Sequence, residues 1–240
     1  MQLVDRGLLS LDDPSIIEEW LPELASKKVL IGFKDSTDGK KEYIFEDRKH
    51  DITPRMLLNH TNGTGMSFFN SELRDFLGEG VAVENEGSEY WDTLLKSPIL
   101  WQPGTKTNYG QGFDWVSVLV ERLTSKSFED VLRENIFDPL HIGHSGFRGE
   151  WGGSVVASDA GADFWPASLR LEDGSFMSIP NFAEKKVERG DAWPKGKRHV
   201  QSVATGLVSS VADLARIYSV LLPQNGGVVS TPEWTLCDGG

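Results

Sequence analysis

The sequence reads as an α+β chain, and three features say so. Residues 29–33 and 42–45 are rich in β-branched and aromatic side chains and flank Asp38-Gly39, which predicts a hairpin. Val116, Leu119, Val120 and Leu123 recur at i, i+3, i+4 and i+7, the period of an amphipathic helix. Helix-start chemistry recurs along the chain: Thr53 before Pro54, Ser127 before Asp130, and Ser210 before Asp213.

In chain order, residues 1–9 read as the last turns of a helix, with Leu3 and Val4 on one face and Gly7 as the stop. After the Asp12-Asp13-Pro14 turn, Ile16, Ile17, Trp20 and Leu21 supply a short helical face that ends at Pro22. The hairpin follows. Thr53 and Pro54 open a helix whose Met56, Leu57 and Leu58 face inward and which Asn62-Gly63 ends. Phe69, Leu73, Phe76 and Leu77 predict a buried stripe. Ser127 caps a short helix that turns Phe128, Val131 and Leu132 inward. Residues 148–200 hold no persistent period and read as long loops with short strands, in which Trp151, Trp165 and Trp193 are loop anchors or the lining of an entrance. Order returns with a helix after Ser210 that places Leu214, Ile217, Leu221 and Leu222 on one face.

At 240 residues, with 39% hydrophobic and 25% charged side chains, the chain can bury a sizeable core, and no stretch has the roughly 18 apolar residues of a membrane span. A net charge of -12 opposes binding to nucleic acid. Cys237 is the single cysteine, which rules out an internal disulfide or a cysteine-rich metal site and favours a reducing, cytoplasmic compartment. His141 and His144 lack companion ligands and read as surface residues. Neither a Gly-x-Ser-x-Gly elbow nor a His-Glu-x-x-His or Gly-x-x-x-x-Gly-Lys pattern occurs.

The densest motif is Trp101-Gln102-Pro103-Gly104 leading to Asn108-Tyr109-Gly110-Gln111 and then the 116–123 helix, closed by Ile136-Phe137-Asp138-Pro139-Leu140. Together with the stretch from Ile52-Thr53-Pro54-Arg55 to His60-Thr61-Asn62-Gly63, it resembles the serine β-lactamase-related family of class C-like esterases, transesterases and penicillin-recognising peptidases. The resemblance implies an antiparallel sheet flanked by helices, with a helical subdomain over about 50–147, a loop-rich insertion over 148–200 and a return to the α/β part over 201–240. It implies acyl transfer from a small-molecule ester, amide or lactam through an acyl-serine, with no metal or organic cofactor. Tyr109 stands at the position of the family's catalytic tyrosine, and Gln111 stands where a substrate-binding asparagine is common. Free phenol ionises near ~10, so a tyrosine acts as base at neutral pH beside a cation, which in the family is the lysine of Ser-x-x-Lys.

That motif is absent. Three residues before each lysine, only Thr37 and Thr93 offer a hydroxyl, in Thr37-Asp38-Gly39-Lys40 and Thr93-Leu94-Leu95-Lys96. The expectation is therefore a domain truncated at both ends, its nucleophile encoded upstream of Met1 and its third motif, Lys-Thr-Gly or His-x-Gly, beyond residue 240. Such a chain is inactive alone, or it is a non-catalytic binding module or pseudoenzyme remnant. His60 belongs to a turn read as structural, its neighbours' hydroxyl and amide groups holding a helix end.

Overall fold

Proline at the first position sets two helix starts in the first half of the chain, at Pro22 and Pro54. The computed structural model describes residues 1–35, 41–67, 69–78, 91–147, 167–179, 201, 203 and 206–220. Helix α1 (Gln2–Asp5) ends at Arg6 and turns at Gly7, whose φ of 69° suits a residue without Cβ. Helix α2 (Ser15–Trp20) stops before Pro22, which takes the first position of α3 (Pro22–Ala25).

Strands β1 (Val29–Asp35) and β2 (Lys41–Glu46) form the expected antiparallel hairpin, with the register slipping between Leu30 and Gly32. Its turn lies outside the described residues. Two strands alone are marginally stable, and this pair leans on α5 (Ser71–Leu77), where Phe76 meets Tyr43 and Phe45 edge-on at 4.9 and 5.9 Å. The Tyr43 hydroxyl donates to the carbonyl of Asp75, and Lys41 pairs with the Asp75 carboxylate. The buried stripe expected on α5 reduces to Leu73, while Phe69 lies outside the helix and is 62% exposed.

Helix α4 (Pro54–Leu58) starts as read: the Thr53 hydroxyl accepts from Met56 N. It ends at Asn59, short of Asn62-Gly63, because His60 takes a left-handed conformation, and Leu58 faces outward. Helices α6 (Trp91–Lys96) and α7 (Gly112–Thr124) complete the core with α2, α3 and α4. Ile17, Leu21, Leu24, Ile52, Leu57, Leu94, Trp115, Val118 and Leu119 form it. The inward face of α7 is centred on Trp115, Val118 and Leu119, rotated from the predicted stripe, with Val116 and Leu123 at its margin. Arg122 fastens α7 to the amino-terminal helices: Nη1 and Nη2 donate to the Glu23 carboxylate at 2.8 Å, and Nη1 also to the Trp20 carbonyl.

Helix α8 (Phe128–Leu132) has the predicted Ser127 cap and passes into a π-helical turn, Arg133–Phe137. Strands β3 (Ser145–Phe147) and β6 (Leu207–Ser209) pair antiparallel, as do β4 (Ala167–Arg170) and β5 (Phe176–Ile179), which fall within the segment read as loops with short strands. Trp151, Trp165, Trp193 and Cys237 lie outside the described residues. Helix α9 (Val211–Ser219) carries the Ser210 cap, but Leu214 is 36% exposed and the expected buried face is not formed among the described residues. Buried Asp213 instead accepts from His144 N and from the Ser145 hydroxyl, anchoring α9 to β3. No described helix is long and apolar enough to cross a membrane.

Candidate active site

The loop that carries Tyr109 is built on the turn from Asn59 to Thr64, and two glycines allow the contact. A Cβ on Gly110 would stand 2.4 Å from the carbonyl oxygen of Thr64, and one on Gly112 would stand 2.4 Å from that of Leu57. Asn62, 1% exposed, donates through Nδ2 to Met56 O and accepts through Oδ1 from Thr64 N, fixing the surface on which the glycines rest. Asn108 closes the arrangement: its backbone N donates to His60 O at 2.9 Å and its Nδ2 to Thr64 O at 3.2 Å. The His60-to-Gly63 turn is thus a scaffold, as its hydroxyl and amide residues suggested.

Tyr109 is 49% exposed, two residues before Gln111, which holds the N-cap position of α7 without a side-chain cap bond. Its ring touches His60 at 5.1 Å and Phe69 at 5.9 Å, the latter edge-on. Half-open aromatic side chains are common in this chain, Phe33, Phe45 and Tyr218 among them, and Tyr109 differs in standing on a loop held by close glycine contacts.

Gln111 has a different placement. It is 3% exposed, its Nε2 donates to the Ser97 hydroxyl at 3.1 Å, and its buried Oε1 has no hydrogen-bond partner among the described residues. The structure therefore brings Tyr109 and Gln111 to one helix start, the first open and the second enclosed.

Behind Gln111 lies a cation that periodicity could not reveal. Lys27 Nζ donates to the carbonyls of Leu95 and Ser97 at 2.7 and 2.6 Å, closing the carboxyl end of α6. Burial pushes its pKa down from 10.5 to about 8, against the opposing pull of Glu23. Ser97 is the shared partner: its carbonyl accepts from Lys27 and its hydroxyl from Gln111. His141 and His144 hold no third ligand, and no cluster of three or more His, Cys, Asp or Glu suited to a metal occurs among the described residues.

The Beta-lactamase family model matches residues 1–235. The chain belongs to that family. It is 35% identical over 147 residues to a lovastatin esterase of Penicillium rubens, an alignment covering 61% of this chain and 35% of the esterase. It is 36% identical over 150 residues to the acyltransferase mokF of Monascus pilosus, covering 62% of this chain and 34% of that protein. Among solved structures, unliganded simvastatin synthase of Aspergillus terreus superimposes with a TM-score of 0.69 at 27% identity, over 95% of this chain and 50% of the synthase. The α+β fold of the serine β-lactamases is shown by these matches. The chain spans about a third of the length of the curated relatives and half of the solved one.

Proposed function

We propose that this member of the β-lactamase family contributes the tyrosine side of a serine acyl-transfer site acting on small-molecule acyl substrates. The observation that carries the reading is the half-open phenol of Tyr109, held on a loop too tightly packed to admit a Cβ at Gly110 or Gly112. The esterase and acyltransferase relatives support the reaction class.

In the proposed chemistry, the Tyr109 oxygen, beside the lysine of a Ser-x-x-Lys motif, takes the proton of the serine hydroxyl as the serine oxygen bonds to the acyl carbon. The same phenol returns that proton to the departing alkoxide or amine. Water or an alcohol then attacks the acyl-serine and gives its proton to the phenolate, and the phenol passes that proton to the departing serine oxygen as the acid or the new ester is released. Gln111, through Ser97, braces the helix start behind the phenol, and its unpartnered Oε1 is the part of the amide left to accept a hydrogen bond.

None of these 240 residues forms a Ser-x-x-Lys motif, so the chain alone forms no acyl-enzyme. The test treats the chain with a fluorophosphonate probe and, separately, titrates p-nitrophenyl butyrate while the Tyr109 ring signals are followed by NMR. We expect no covalent adduct and a saturable change at Tyr109. A serine adduct overturns the claim of inactivity; an unresponsive Tyr109 overturns the site.

The absence of Ser-x-x-Lys also favours a second reading, a non-catalytic binding module. A polypeptide joining a Ser-x-x-Lys helix to this chain separates the two. Labelling that Tyr109→Phe abolishes supports catalysis, and reversible binding with no labelling supports the module.

A further inference from the structure

We propose that His60 is a positioning residue for the phenol of Tyr109, an assignment that rests on the reading of Tyr109 as the base. The two side chains meet at 5.1 Å between ring centroids with planes 37° apart. The same imidazole meets Phe113, in the first turn of α7, at 5.1 Å and 61°. It therefore spans from the tyrosine to the helix that the tyrosine precedes.

The main chain reinforces this placement. His60 has a φ of 60°, a left-handed conformation that glycine adopts freely and that asparagine, aspartate and histidine adopt more often than other side chains. That turn directs the His60 carbonyl at Asn108 N, so the neighbour of Tyr109 is hydrogen-bonded to the very residue whose ring packs on the phenol. The backbone and the side chain of one residue thus hold the same loop.

The imidazole is not held there by a hydrogen bond at Nδ1, which is shielded from solvent and has no partner among the described residues. A half-exposed tyrosine otherwise samples its staggered rotamers, and one aromatic pair favours a single arrangement by about fivefold. Phe69 meets the phenol edge-on but is itself 62% exposed, which leaves His60 as the contact whose backbone is also tied to the Tyr109 loop.

The test uses the 240-residue chain with ring-labelled tyrosine, Tyr109→Phe identifying the Tyr109 signals among the four tyrosines. His60→Asn keeps a residue that tolerates the left-handed backbone and removes the ring; His60→Phe returns a ring. Wild type is expected to show cross-relaxation between the His60 and Tyr109 rings. His60→Asn is expected to move the Tyr109 signals toward free tyrosine, to leave Tyr43 unchanged as a control of the fold, and to weaken the response to p-nitrophenyl butyrate about fivefold, the size of one lost aromatic pair. His60→Phe is expected to restore both. Absent cross-relaxation in wild type, or Tyr109 signals unmoved in His60→Asn, overturns the proposal. If His60→Asn does not fold, the wild-type cross-relaxation and the His60→Phe spectrum decide. A ring contact that is lost while the ester response is intact refutes positioning alone. A ring contact that is intact with no ester response in wild type refutes Tyr109 as base and leaves the contact standing.

Discussion

Gly110 lies so close to Thr64 that its missing side chain is a condition of the loop, a Cβ there falling 2.4 Å from the Thr64 carbonyl oxygen and 2.7 Å from the Thr64 hydroxyl. Backbone cannot yield as a flexible side chain can. Gly110→Ala is therefore expected to cost about 1–3 kcal/mol through overpacking. Thermal melts would show it as a fall of roughly 2–4 °C per kcal/mol for a chain of this size. A variant with unchanged melting would mean that the two turns are not in contact.

Lys27 gives a pH signature at the alkaline end. Its folded pKa of about 8 lies below the 10.5 of the free side chain, so between these values the unfolded chain binds more protons than the folded one. The penalty for burying the charge is fully present below pH 8 and is relieved as pH rises toward 10.5. Urea midpoints of wild type relative to Lys27→Met are expected to rise across pH 8 to 10.5. A difference that is flat or falls across that window contradicts the burial of this ammonium.

Glu23 predicts the opposite end. The hydrogen bonds from Arg122 hold its carboxyl below the usual 4.5, so its contribution is present above that pH and is lost as pH falls through the lowered value. Glu23→Gln is expected to destabilise the chain at pH 7 and to show a smaller loss between pH 5 and 3 than wild type. Denaturation midpoints at these pH values check it.

Asp213 accepts from His144 N and from the Ser145 hydroxyl while 1% exposed. Its replacement by alanine leaves His144 N without this acceptor, at about 1–3 kcal/mol, while the Ser145 hydroxyl keeps the Ser209 hydroxyl at 2.7 Å. Loss of the Ser210 cap alone costs about 1 kcal/mol. Asp213→Ala should therefore be the more damaging change, and hydrogen exchange in β3 and β6 should report it.

These effects show which parts of the structure were written locally. The caps at Thr53, Ser127 and Ser210 follow from a hydroxyl and the next three residues, and all three donate or accept as the sequence implied. The hairpin and α7 follow from period and turn chemistry. The Beta-lactamase match agrees with the family inferred from the motif around Tyr109. What was not legible depends on distant chain. Phe69 and Leu214 have helical spacing but face outward, because spacing says which residues share a face and not whether another element covers it. The same holds for His60 beside Tyr109, Lys27 beneath Ser97, and the enclosure of Gln111, which join segments far apart in sequence.

The edge-on contacts of Phe76 with Tyr43 and Phe45, together with the Asp75 links to Tyr43 and Lys41, make the hairpin and α5 one mechanical unit. β1 is held on its other side as well, where Leu30 N donates to the Ile99 carbonyl at 2.8 Å, whereas Leu73 is the one fully buried side chain of α5. Fraying of the Ser71–Leu77 helix therefore strips the aromatic cover from β2 while the inner end of β1 stays anchored. The β2 amides near Tyr43 should lose their isotopic protection together with that helix, ahead of Leu30, so that loosening one short helix unzips part of a ladder thirty residues away in the sequence.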